Sequence, residues 1–317
     1  MADLNDGRGQ IILVAAFALG VIFIALAVVV NAAIFTENLA TRGEATSDSD
    51  ALHYRHEVEE SAGRTLDFVN AEADSGDSVS NLESRVKDNV TDISLQGTRQ
   101  KSRLGRAVVV DDVSVEDSGT RLENTSGSFE NETGSNEWDV AQSVPQTRDF
   151  VLNVSDVSTL LGSQTGAFNV SVTSSTGGPH WNMSVHRPAA DTVEVTVDNT
   201  DGDVASCQQS VSENFKIDVT SGTVAGEPCH ALQVSDGDVM WFPSDISSDY
   251  DIRFNQADEI NGGYRLTIAD GTVSSFPSTA TSQQTTAIYS LDVRYTYQTP
   301  SLYYETDIRV APGEPDL

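Results

Sequence analysis

The sequence predicts a single N-terminal transmembrane helix, a helical stalk, and then a mainly antiparallel β ectodomain, folded as a sandwich or a rolled sheet. Three observations predict it. Ile11 to Phe35 is an uncharged apolar run. Between Ala51 and Ile93 apolar residues recur at three- and four-residue steps. From Arg106 onward the period changes to two.

The first element is the apolar run IILVAAFALGVIFIALAVVVNAAIF. No charge occurs between Arg8 and Glu37. A helix of about 20 apolar residues crosses a bilayer, and this run is a little longer. A cleaved secretory signal has a shorter apolar stretch, of roughly 7–15 residues. A helix packed on a soluble domain would carry a polar face, and this run is apolar on every face. The reading is a short leader over residues 1–9 and a retained span over 10–36. Charge is nearly silent on orientation, because Arg8 is the only flanking base before the run.

Residues 37–104 read as a helical stalk or hairpin. Ala51, Val58, Ala62, Leu66 and Val69 fall near one face, and Val79, Leu82, Val86, Val90 and Ile93 form a second set. Asp74-Ser-Gly-Asp-Ser78 separates them with turn and N-cap chemistry. Gly43 and the Ser47–Asp50 cluster argue against one unbroken rod from the membrane.

Residues 105–317 read as the β domain. Val193, Val195 and Val197 alternate, as do Phe215, Ile217 and Val219, then Tyr264, Leu266 and Ile268. Tyr289 to Tyr297 and Leu302 to Val310 alternate around Gln298-Thr-Pro-Ser301, which predicts a long hairpin. Ser274–Thr286 reads as a loop, and no internal repeat is present.

Charge narrows the partners. The 317 residues carry 48 Asp plus Glu against 18 Lys plus Arg, a formal charge of −30. All the acids but Asp3 and Asp6 follow Phe35. A phosphate backbone would be repelled, which excludes nucleic acid as a partner. The composition, with only Lys87, Lys101 and Lys216 as lysines, resembles that of extremely halophilic archaea. At molar salt the Debye length falls to about 3 Å and the self-repulsion is screened.

Extracytoplasmic placement of the β domain is an expectation from modification chemistry. Six Asn-X-Ser/Thr sequons occur, at Asn89, Asn124, Asn131, Asn153, Asn169 and Asn182. Asn153, Asn169 and Asn182 lie in alternating strand patterns; Asn124 and Asn131 lie in the Glu116–Glu137 stretch, which reads as an exposed loop and offers better acceptors. Cys207 and Cys229 form the other sign, as a candidate disulfide or as two separate buried thiols.

Chemistry-bearing motifs are sparse. There is no Gly-x-Ser-x-Gly elbow and no phosphate loop. His53, His56 and Glu60 could share a helical face and hold a metal, or form an exposed polar face. Asp198, Asp201 and Asp203 resemble part of a calcium-binding loop that lacks its first Asp and closing Glu. Trp138, Trp181 and Trp241 read as core residues. No catalytic constellation and no cofactor are expected.

At Asp6-Gly-Arg-Gly-Gln10, running straight into the apolar segment, the N-terminus resembles the class III signal of archaeal type IV pilin-like proteins. The resemblance implies cleavage between Gly9 and Gln10 on the cytoplasmic side, with Arg8, Gly9 and Gln10 as the processing residues. It further implies that the apolar helix is kept, anchors the subunit in the bilayer and packs against copies of itself. The same pattern is similar to the anchor of tight-adherence pilus-assembly proteins, which are not necessarily cleaved. Val14 stands where bacterial major pilins carry a Glu. That departure and the chain length imply a minor, pilus-associated subunit of the cell surface. An uncleaved envelope adhesin or binding module is the alternative, and an anchored extracellular hydrolase a lesser one.

Overall fold

The computed structural model describes residues 6–103, 106–233, 246 and 249–314. Helices α1 (Asp6–Ala71) and α2 (Val79–Ser102) come first. Strands β1 (Ala107–Asn124), β2 (Trp138–Val144), β3 (Gln146–Val154), β4 (Phe168–Ser174), β5 (His180–Ala189), β6 (Thr192–Asn199) and β7 (Val204–Ser210) follow. The chain continues through β8 (Phe215–Asp218), β9 (Thr223–Val224), β10 (Glu227–Pro228), β11 (Tyr250–Asn255), β12 (Gly262–Ala269), β13 (Ser282–Gln298) and β14 (Tyr303–Val310).

The strands form two antiparallel sheets. One runs β10-β9-β8-β3-β12-β1-β13-β14, the other β2-β11-β4-β5-β6-β7. Part of the first sheet faces the second across a sandwich core in which Phe129, Phe168, Phe254 and Tyr264 meet, their ring centroids 4.9–5.8 Å apart. Trp138 and Trp181 are buried there, and the Trp138 indole donates to the Phe129 carbonyl at 2.9 Å. These tryptophans are core residues, as alternation implies. Trp241 lies outside the described residues.

The remainder of the first sheet carries the helices. A second core joins α1 and α2 to β1, β13 and β14 through Leu66, Val69, Leu82, Val86, Val108, Leu291, Val293, Tyr295 and Ile308. Strand β1 serves both cores, with Val108, Val110 and Val113 on the helical side and Leu122 in the sandwich. Register shifts between Asp111 and Ser118 separate its two halves, and Asp112 adopts a positive φ of 51° there. Such bulges bend a strand and re-aim its side chains. At Gly119 the neighbouring strand passes so close that a Cβ would lie 2.2 Å from the Ile268 carbonyl oxygen, which requires glycine.

Four expectations are corrected. Helix α1 is continuous through Gly43 and the Ser47–Asp50 cluster, because one glycine and a few polar residues cost less than interrupting a long hydrogen-bonded helix. The segment 37–104, read as a stalk or hairpin, is not a free stalk: α1 and α2 fold back on each other as a hairpin, and residues from Ala51 onward share a core with β1, β13 and β14. The Glu116–Glu137 loop begins only after Asn124, as its first residues pair with β12 and β13. Strand β13 starts at Ser282, inside the Ser/Thr-rich stretch read as a loop; cross-strand pairing overrides weak local preference. The long C-terminal hairpin is present as β13 and β14, with Tyr297 opposite Tyr304.

Candidate functional site: the long helix and its seat on the sheet

Helix α1 has two parts with opposite surroundings. Its 66 residues correspond to roughly 100 Å at 1.5 Å per residue. In the first part every described side chain from Ala16 to Val30 is exposed, Phe17 at 74% and Ile24 at 67%. Exposure of large apolar groups on all faces leaves no side turned toward this chain's own core. Among the described residues no helix is long and apolar enough to cross a membrane. Those described here, Ala16, Phe17 and Leu19–Val30, form a shorter stretch than the roughly 20 residues a span needs.

The second part is seated. Ala51, Val58, Ala62, Leu66 and Val69 are buried against the sheet, the face that three- and four-residue spacing indicates. Leu82, Val86 and Val90 complete the contact from α2. Polar bonds fix the two ends of the seated length. At one end the Tyr295 hydroxyl donates to the Ala51 carbonyl at 3.0 Å. At the other, the Asn70 amide donates to the Ile288 carbonyl at 2.8 Å and accepts from the Ile288 N–H at 2.9 Å. Strand β14 pairs with β13 only from Leu291 onward, and Asn70 bonds both backbone groups of Ile288 beyond that point.

Arg148 is the central polar contact. Its side chain is 1% exposed. Nη1 donates to Asp67 Oδ1 at 3.0 Å and to the Pro312 carbonyl at 2.8 Å, and Nη2 donates to the Ile288 carbonyl at 3.1 Å. The guanidinium carbon also lies 5.7 Å from the centre of the Tyr289 ring. One planar fork thus joins α1, β3, β13 and the C-terminal strap. A cavity of about 170 Å³ borders it, lined also by Asp67, Arg121, Asp149 and Arg265. Arg265 makes a two-point contact with Asp149 at 2.5 and 2.7 Å, which raises its pKa. Loss of water around the Asp67 carboxyl outweighs Arg148 and raises its pKa from the ordinary aspartate value. Burial lowers that of Arg121. Three guanidiniums face Asp67, Asp149 and Glu123, so the charges are balanced and the group is a structural clamp. Sequence reasoning missed Arg148. Its one signal is a cation two residues before the apolar run Phe150-Val151-Leu152.

The sequence-predicted site residues are scattered. Arg8, Gly9 and Gln10 lie in the first turns of α1. Cys207 on β7 is joined to Cys229 after β10, with Cα atoms 5.6 Å apart. These strands edge the two different sheets, so the disulfide staples the sandwich closed. His53 and Glu57 form an exposed pair at 3.3 Å. Asn199, between Asp198 and Asp201, accepts from the N–H groups of Asp201 and Asp203 at 3.0 and 3.1 Å, while Asp198 accepts from Asn182 at 2.9 Å. Among the described residues no three His, Cys, Asp or Glu side chains come together as a metal site. Of the sequons, Asn124 is 4% exposed and so is corrected as an acceptor; Asn89 and Asn153 are exposed, and Asn131, Asn169 and Asn182 half-buried.

No curated protein matches this chain, and no solved structure does. Residues 5–121 match the model of a family of unknown function (DUF7261), a stretch that takes in both parts of α1, all of α2, and β1 as far as Arg121.

Proposed function

We propose that this chain is a membrane-anchored, surface-exposed, pilin-like or pilus-associated structural subunit. The observation that carries the reading is the division of α1. Its first part is bare and apolar on all sides, and its second part is clamped into an antiparallel sheet. A bare apolar helix is stable in lipid or against copies of itself, where helix contacts replace lipid contacts at little hydrophobic cost. The full run Ile11–Phe35 has the length of a span. Residues 37–50 continue the helix to its seat, a rigid spacer of roughly 20 Å. Tension on the anchor would pass into the sheet through Arg148, Asn70 and the apolar seat.

The mature N-terminus tests the processing claim. Mass spectrometry of the membrane fraction should find a chain beginning at Gln10; a chain retaining residues 2–9 sinks that claim. Protease added to intact cells should cut the β domain, and complete protection would remove the surface placement. A second reading, an uncleaved anchored binding module, is favoured by one observation. Asp6–Gln10 is already helical, and a helical segment must unwind before a peptidase can take it. That reading predicts an intact N-terminus, no incorporation into filaments and no dependence on prepilin peptidase.

A further inference from the structure

The six sequons are chemically unequal in the fold. The nucleophile in N-glycosylation is the side-chain amide nitrogen, whose lone pair is delocalised into its carbonyl. Groups that stabilise charge on the carbonyl oxygen as the nitrogen loses its proton favour attack, by the logic of an oxyanion site. Asn131 has this arrangement. Its Oδ1 accepts from the Thr133 N–H at 2.9 Å, from the Thr133 hydroxyl at 2.9 Å and from the Ser135 N–H at 2.8 Å. The hydroxyl that defines the sequon is therefore already on the carboxamide. The loop between β1 and β2 that holds it is exposed at Glu132, Thr133 and Gly134.

The other five lack one requirement each. Asn124 is buried. The Asn182 nitrogen is committed to Asp198 at 2.9 Å. Asn169 also bonds its own sequon hydroxyl, Ser171, at 2.8 Å, but it lies on a strand paired on both sides, and the Asn255 amide bridges the two at 3.1 and 3.0 Å. Asn89 is in α2, where Thr91 sits about 200° around the helix from it. The hydroxyl of Ser155, which serves Asn153, is held by the Asn261 carbonyl at 3.1 Å.

We propose that Asn131 is a glycan acceptor, modified by a transferase that uses an oligosaccharide joined through phosphate to a lipid carrier. The bond from Asn131 Nδ2 to the anomeric carbon forms as the bond from that carbon to the phosphate oxygen breaks. The lipid phosphate leaves with the bonding pair, and the amide proton passes to a base on the transferase. The proposal rests on the surface placement above.

The test is glycopeptide mass spectrometry of the full chain from the cells that make it, alongside protease treatment of intact cells. The peptide containing Asn131 should carry added sugar mass. Asn131→Asp keeps an acceptor oxygen for the turn but has no amide nitrogen, so it should fold and lose the modification. Thr133→Ala should lose it and Thr133→Ser keep it. An unmodified Asn131 in a chain whose β domain is cut on intact cells overturns the proposal while leaving the surface placement intact. Sugar on Asn153 or Asn124 with Asn131 bare overturns it as well. Full protection of the β domain overturns both readings, whereas the mass of the N-terminal peptide reports separately on processing.

Discussion

At the scale of single residues, Arg148 and Asp67 look like one ion pair but carry different loads. Arg148 serves three acceptors from a buried position. Asp67 is half exposed, and Arg148 does not fully offset the water its carboxylate loses. Arg148→Ala should therefore cost about 2–4 kcal/mol, by emptying a fully buried site and removing the donor to the Pro312 carbonyl, while Asn70 still serves the Ile288 carbonyl. Asp67→Asn keeps an acceptor oxygen and should cost about 1 kcal/mol or less. Urea unfolding at fixed molar salt measures both; equal costs would show that the ion pair alone matters. Arg148→Lys should resemble the alanine variant more than the wild type, because an ammonium cannot reach three spread acceptors in one plane.

At the scale of elements, the seat of α1 and the staple of the sandwich can be separated. Leu66 is fully buried and Leu52 is exposed on the same helix. Leu66→Ala should cost about 2–5 kcal/mol, while Leu52→Ala should stay within about 0.5 kcal/mol. Thermal melts followed by far-ultraviolet circular dichroism distinguish them, and similar shifts would mean that the seat is not the stabilising face. The Cys207–Cys229 bridge closes 22 residues. Replacing both cysteines by serine should cost about 3 kcal/mol in the chain-entropy model. Its effect should fall on the sandwich, with the α1 seat retained; hydrogen exchange that loosens Leu66 in the seat as much as Leu266 in the sandwich would contradict this separation into two cores.

The period-three-and-four spacing of Ala51 to Val69 was enough to name the buried face of α1, and period-two alternation was enough to name β13 and β14. These patterns are local, and the helix or strand they specify needs only its own residues. The partner of each face was not legible. Nothing near Leu66 in the chain says that it meets Leu291 and Ile308, more than 200 residues away, nor that Asn70 fills the pairing gap at Ile288. Asn124 shows the same limit from the other side. Its Gly/Ser-rich neighbours suggested a loop, yet pairing with both β12 and β13 buries it.

At the scale of the whole molecule, two titratable populations set the conditions for folding. Tyr250, Tyr264, Tyr289, Tyr295 and Tyr297 all have raised pKa values, burial being the first cause in each. A folded pKa above the unfolded value near 10 means that the folded state holds its proton longer. This stability is fully present below about pH 10 and is lost as pH rises toward the folded values. Phenolate absorbance should therefore appear in these residues together with loss of tertiary structure; its gradual appearance in a folded chain would refute the shared burial. The −30 charge acts in the same direction at every pH above the carboxylate range. Lowering salt from molar to about 0.1 M lengthens the screening distance from about 3 to about 10 Å, so the melting temperature should fall with dilution. An unchanged melting temperature would show that local ion pairs already neutralise the surface.

The sequence by itself determined the elements whose cause is local: an apolar run of bilayer length, two amphipathic helical faces, alternating strands and a long hairpin. It also determined the net charge of −30. Only the tertiary structure decided that the helical segment is half bare and half seated, that β1 and its sheet are shared by two cores, and that Arg148 closes the seat. It also decided which two sequons bring their hydroxyl to their own asparagine, and that one of these, Asn131, lies in a loop rather than on a paired strand. Each of those depends on groups far apart in the chain. Their meeting is fixed by the global balance of burial and hydrogen bonding, which no window of neighbouring residues contains.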